Sequence, residues 1–261
     1  MRSSRDLCNL AMAAAQAAGD VIRAARRDAA PLHTQLKGAG DYVTAVDRAA
    51  EAAAVSLLRE AEPSIDVLAE ERGGEVSARM WVIDPLDGTT NFLRGYPEVG
   101  VSIALVEDGQ PTVGVVIAPI TGGTWSAVAG HGAFDGAGRR LDVSARPGDG
   151  VVATGFPFRR PDARARYMSV FAVALETFED LRRAGAASLD LAYSASGVWD
   201  GFFELNLALW DIAAGSLLIR EAGGVVTDWS GDPTAVFVSG DILAGAPAWH
   251  ERMLAITRSA A

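Results

Sequence analysis

The sequence predicts a chain of mixed class, α+β in its first half and α/β in its second, and three observations carry that expectation. Alanine-rich stretches at about 4–29 and 44–61 set charged residues on one face and apolar ones on the other, the period of amphipathic helices. Short β-type runs follow, IDVLAE, MWVID, VGVSIALVEDG, PTVGVVIAP and TWSAVA, separated by Gly, Pro and Asp, which together read as a largely antiparallel sheet. Beyond GDGVVATGFPF the two periods alternate. Helices at about 161–180, 187–198 and 209–222 are interleaved with the strands GFFEL, GVVTD and DILAGA, as in an α/β unit.

The first helix begins with basic residues ahead of an alanine-rich run, in the manner of a signal peptide, but Gln16, Asp20 and Arg23 interrupt it too soon. An amphipathic surface helix is expected instead. No other span is long and apolar enough for a membrane. With 261 residues, 49% of them hydrophobic, the chain has ample material for a core. Its formal charge of -10 argues against nucleic acid or an anionic membrane as partner, since both require clustered basic groups. Cys8 is the only cysteine, which forbids an internal disulfide and suits a reducing cytoplasm. Neither an internal repeat nor a low-complexity linker is evident. The expected organisation is one unit over 1–261 with a soft subdivision into 1–147 and 148–261.

Four segments can carry chemistry. In WVIDPLDGTTNF, Trp81 to Phe92, the apolar run reads as a buried strand, Pro85 turns the chain, and Gly88, Thr89 and Thr90 suit the start of a short helix. Asp84 and Asp87 then lie beside a helix N-terminus, whose unpaired N–H groups suit a phosphate. Two carboxylates aimed at one volume repel unless a divalent cation separates them, and hard oxygen donors suit Mg²⁺. An Asp-rich turn with a capping threonine explains the same residues without any ligand. In VLAEERGG, Glu70 and Glu71 read alone as a solvated pair. In KGAGDYVTAVD, Thr44 can cap a helix and Asp47 can favour its first turn, while Lys37 is the only lysine of the chain. In ELNLALWDIAAG, Asp211 is adequately explained by the dipole of the helix that it opens.

Taken together, DYVTAVD, the EE pair, DPLDGTTNF and WDIAAGSLLIREAGG resemble, in order and spacing, the inositol monophosphatase family of magnesium-dependent, lithium-sensitive phosphatases. The resemblance runs from about Leu7 past Gly224. It implies a layered αβαβα sandwich, a cytoplasmic homodimer and a small phosphorylated substrate, with most metal ligands in the first half and the substrate-binding residues in the second. By motif position it implies that Glu70, Asp84 and the carbonyl of Leu86 hold one Mg²⁺, that Asp84, Asp87 and Asp211 hold a second, and that Glu70 lies near a weaker third. Asp47 and Thr89 would prepare the attacking water, and the N–H groups of Gly88 and Thr89 would hold the phosphate. Glu204 would read sugar hydroxyls and Ala187 would offer a backbone N–H. Two departures stand out: Ala186 replaces the usual Ser or Thr, and KGAGD is one residue shorter than in some relatives. The leading substrate is inositol 1-phosphate, followed by histidinol phosphate, fructose 1,6-bisphosphate and adenosine 3′,5′-bisphosphate. A regulatory binding protein on the same fold is the reading from another class. His33, His131 and His250 fall outside every motif and are expected at the surface or in packing.

Overall fold

The computed structural model describes residues 2–28, 34–38, 41–158 and 160–259, without the side chains of 28, 34–38 and 41–43. The first helix, α1 (Ser4–Asp28), buries Leu7, Leu10, Ala11, Ala14, Ala15, Ala18 and Ile22, a stripe at the three- and four-residue spacing of one helix face. Its methyl side chains let it pack closely on α2 (Ala45–Ala61). Cys8 is half-buried at the edge of this core. Between the helices, β1 (Thr34–Gly38) and β2 (Asp41–Thr44) form an antiparallel ribbon. Lys37 lies on β1 with its side chain outside the described residues, as is His33 altogether.

The first sheet has six strands in the order β3-β4-β5-β6-β7-β8: β3 (Asp66–Ala69), β4 (Arg79–Asp87), β5 (Gly100–Glu107), β6 (Gln110–Ile117), β7 (Thr124–Val128) and β8 (Gly132–Asp135). Only β3 and β4 pair in parallel. Both faces are covered, so β4 is a continuous apolar run: Trp81 and Ile83 join the core beneath α1 and α2, whereas Met80 and Val82 join the opposite core. A short helix, α3 (Thr89–Arg94), follows β4.

The second sheet has five strands in the order β10-β9-β11-β13-β12: β9 (Val151–Thr154), β10 (Asp180–Arg182), β11 (Gly201–Glu204), β12 (Val225–Thr227) and β13 (Ile242–Gly245). Strands β10, β9 and β11 run parallel, and β13 and β12 antiparallel to their neighbours. Four helices serve this half: α4 (Arg164–Thr177), α5 (Ala187–Ala195), α6 (Leu209–Glu221) and α8 (Pro247–Ser259), with the single turn α7 (Val236–Ser239) before β13. Helices α5 and α6 contact both sheets, α1 and α2 the far face of the first, and α8, backed by α4, the second. The result is an αβαβα stack of two mixed sheets and eight α-helices among the described residues. Helix α6 lies between two sheets, and every residue from Ile212 to Ile219 is buried, which is why its sequence shows no polar face.

The structure corrects the sequence expectations in several places. Pro85 does not end β4; the strand continues through it to Asp87 by a register shift against β5. The segment 161–180 is a 3-10 turn (Pro161–Ala163), then α4, then β10, because Phe178 turns extended and the Glu179 N–H bonds to the carbonyls of Asp149 and Gly150. Helix α5 stops at Ala195, ahead of Gly197 at φ 71. The ribbon β1–β2, strand β8 and helices α7 and α8 had no sequence expectation. None of the described helices is long and apolar enough to cross a membrane.

His131 is exposed, but His250 is buried on α8, with Nε2 2.7 Å from Thr227 Oγ1 on β12. Burial, aided by Arg258, pulls its pKa down to about 4 from 6.5. The unfolded chain therefore takes up the proton first, so this neutral contact is intact above pH 6.5 and is lost as pH falls through about 4. We expect the melting temperature of the wild type to fall more steeply over that window than that of His250→Gln; parallel pH profiles would contradict it.

Candidate functional site

The register shift in β4 organises the site. In a regular strand, residues three apart face opposite sides. Here Asp84 pairs with Ser102 and Asp87 with Gly100, so three steps on β4 match two on β5 and both carboxylates emerge on one side. Asp84 Oδ1 accepts the Leu86 N–H at 3.0 Å, which fixes the bulge. The parallel β3–β4 ladder brings the next acid: the Glu70 N–H donates to the Ile83 carbonyl at 3.1 Å, setting Glu70 beside Asp84. Ser102, opposite Asp84, donates its hydroxyl to the Trp210 carbonyl at 3.0 Å. That bond ties the first turn of α6, and with it Asp211, to the same corner. Asp211 also accepts the Ala208 N–H at 2.7 Å.

Glu70, Asp84, Leu86, Asp87, Gly88, Thr89, Ala187, Glu204 and Asp211 all line one cleft of about 1240 Å³. Asp47 does not; it is buried behind Thr89 at the start of α2. Thr44 caps α2, accepting from the Val46 N–H at 3.0 Å, while its own N–H and hydroxyl donate to Asp47 Oδ2. The other oxygen, Oδ1, accepts the Thr89 hydroxyl at 2.9 Å. The first-turn role foreseen for Asp47 and its contact with Thr89 therefore coexist, on two different oxygens. Gly88 is the N-cap of α3 at φ 87, a left-handed conformation that favours glycine, and no side chain caps this helix. The hydroxyl expected to cap it is committed to Asp47 instead.

Sequence reasoning missed Ser188, Glu51, Asn91 and Asp190. Ser188 donates its N–H and its hydroxyl to Asp87 Oδ2, at 2.7 and 2.6 Å. The Ala187 N–H is also directed at Asp87. Glu51, buried on α2, accepts the Glu71 N–H at 2.8 Å and pairs with Arg72 at 2.8 Å, clamping the turn that follows Glu70. Asn91 donates to the carbonyls of Glu98 and Ala184 at 2.7 and 2.9 Å, joining α3 to the approach to α5. Asp190 also lines the cleft. Apart from the Asn91–Glu98 bond, seven residues apart, these contacts span 20 to 101 residues in sequence, beyond any local pattern.

On the far wall Glu204 lies against Gly155, where a Cβ would come within 1.8 Å of its Oε2. At the rim, the Arg183 guanidinium stacks over Phe156 and Phe158, 5.5 and 5.3 Å from the ring centres. Ala186 is buried at the N-cap of α5 and contributes no hydroxyl.

The acids are poised against one another. Burial pushes the Asp84 carboxyl well above its usual range, and Glu70, Asp87 and Asp211 push it further. Burial raises Asp87 to about 6, against the hydrogen bonds from Ser188 and Ala187 that favour its charged form. Among the described residues no three acidic, histidine or cysteine side chains already stand in ready coordination geometry. The donors are nevertheless all oxygens, and a divalent charge among them would relieve the repulsion that raises Asp84.

A sequence model of the inositol monophosphatase family matches residues 4–261. The Nus factor SuhB of Escherichia coli strain K12 is 41% identical over 256 residues, 97% of this chain and 96% of the relative. Among solved structures, the extragenic suppressor protein suhB from Bartonella henselae matches with a TM-score of 0.91 at 39% identity, over 97% of this chain and 98% of that one. The inositol monophosphatase from Anabaena (Nostoc) sp. PCC 7120 matches with a TM-score of 0.85 at 32% identity, over 98% and 96%.

Because Thr44 both caps α2 and orients Asp47, Thr44→Ala should lower stability by about 1 kcal/mol in urea denaturation, with Thr44→Ser nearly unchanged. Equal stability of the Ala variant and the wild type would show that the cap contributes nothing.

Proposed function

The chain belongs to the inositol monophosphatase family, and from that premise we propose that it is a Mg²⁺-dependent phosphomonoesterase of a small polyol or sugar phosphate, with inositol 1-phosphate as leading substrate. The observation that carries this reading is the convergence of Glu70, Asp84, Asp87 and Asp211, from three separate segments of the chain, on one cleft. Histidinol phosphate, fructose 1,6-bisphosphate and adenosine 3′,5′-bisphosphate are the competing substrates. A cytoplasmic homodimer, lithium sensitivity and a division of labour between residues 1–147 and 148–261 belong to the same proposal.

Glu70, Asp84 and the Leu86 carbonyl would hold one Mg²⁺; Asp84, Asp87 and Asp211 would hold another, with Glu70 near a weaker third. When bound, these ions would acidify a water and neutralise the phosphoryl oxygens of an in-line displacement. The protein's own part is positional. Thr89 donates its hydroxyl hydrogen to Asp47, which leaves its oxygen lone pairs turned to accept from the attacking water, and Asp47 is the base at the end of that relay. The N–H groups of Gly88 and Thr89, at the first turn of α3, would take the phosphate oxygens. Glu204 would accept from hydroxyls of the leaving alcohol, and the α5 N-terminus at Ala187 holds Asp87 in place. No Ser, Cys or His nucleophile is required.

The name Nus factor, carried by a relative 41% identical, supports a second reading in which the chain also serves as a binding protein. The formal charge of -10 directs such a role toward a protein partner rather than nucleic acid. An inactive Asp84→Asn chain that still restores growth to cells lacking the protein would favour it.

Glu70→Gln and Asp84→Asn should each abolish phosphate release at millimolar Mg²⁺ with melting temperature kept or raised, because each removes a ligand and a repelling charge. Near-normal turnover in either would falsify the metal assignment. Asp47→Asn should cut turnover by roughly 10²-fold with little change in KM; a raised KM at normal kcat would make Asp47 a substrate-positioning group instead.

A further inference from the structure

The Asp190 carboxyl leaves one oxygen without a partner in the fold. It lies on α5 with 1% of its surface exposed, and its Oδ1 is buried without a hydrogen-bond partner. Such a group ordinarily costs stability. Its backbone is fully used: its N–H donates to the Ala186 carbonyl and its own carbonyl accepts the Ser194 hydroxyl. The side chain nevertheless lines the cleft together with Glu204, Ala186 and Ala187. Among the described residues the neighbouring charges are Glu204, Asp87 and Glu98, opposed by Arg183 at the rim.

We propose that Asp190 is a specificity-determining residue, which with Glu204 holds one hydroxyl of the substrate's alcohol half between two carboxyl groups. This rests on the phosphatase reading above. A hydroxyl has one hydrogen to give and lone pairs to receive, so it can donate to Glu204 and accept from Asp190 when the latter carries a proton. Burial, then Glu204, Asp87 and Glu98, all favour that protonated form. Ala186 supplies no competing hydroxyl on this wall. The unpartnered oxygen is then an unfilled half of a recognition pair, kept at the expense of stability.

The test compares wild type, Asp190→Asn and Asp190→Ala on inositol 1-phosphate and on p-nitrophenyl phosphate, which has no hydroxyl to read. Asp190→Ala should lose about tenfold in kcat/KM on the inositol ester, mainly through KM, and less than about twofold on the aryl ester. Asp190→Asn, whose amide can still donate, should stay near wild type. Asp190→Ala should also melt at a higher temperature, while losing the rise in melting temperature that millimolar myo-inositol gives the wild type. Equal losses on both esters, or no loss on either, would overturn the proposal. Loss in the Asn variant as deep as in the Ala variant would also overturn it, since that pattern requires an ionised acceptor at position 190 rather than a protonated donor. Wild-type failure on both esters would instead remove the phosphatase reading, and the inositol-dependent melting would still decide the role of Asp190.

Discussion

Mutual repulsion among carboxylates held in one corner is the constraint on which the rest of the structure depends. Asp84 is buried, and both its surroundings and its neighbours Glu70, Asp87 and Asp211 disfavour its charge. Holding such a group costs free energy that only a cation or a proton can offset. The fold meets that cost with rigidity. Asp84 and Asp87 lie on a bulged central strand, Glu70 on a parallel ladder beside it, and Asp211 on a helix tied to the same strand pair through Ser102 and the Trp210 carbonyl.

The layers explain why this corner can be so precise. Helix α6 is clasped between two sheets and buried along most of its length, so its first turn has little freedom. Helix α5 crosses the same gap and delivers Ser188 to Asp87. Each acid therefore has a support from another element: Asp87 from α5, Asp47 from the α2 cap, and the turn after Glu70 from Glu51. The far wall sets Glu204 on Gly155 and Arg183 over two phenylalanines. In the proposed reading, selectivity among alcohols belongs to this wall, and the reaction class to the acidic corner.

Much of this was legible in the sequence wherever the signal was local. The continuous apolar run of β4, the alternating charge of α1, and the acids in DPLDGTTNF each follow from neighbours a few residues apart. The family resemblance carried the assignment of distant residues to one site. What escaped was set by long-range contact. Pro85 suggested a turn because proline lacks a ladder donor, yet a bulge accommodates it. Strand β10 hid inside an expected helix, since its three residues are fixed only by pairing with β9. Glu51 and Ser188 look like ordinary helix residues until their partners, 20 and 101 positions away, are known. Asp190 gave no signal at all, because an unpaired buried acid is visible only in three dimensions.

The central claim is that the acidic corner is built for a divalent cation, and the most direct measurement needs no substrate. The melting temperature of the wild-type protein should rise progressively with Mg²⁺ from micromolar to millimolar concentration, because binding to the folded state alone adds stability by mass action. The same titration of Asp84→Asn should start higher and rise much less. A wild-type melting temperature indifferent to millimolar Mg²⁺ would contradict the account.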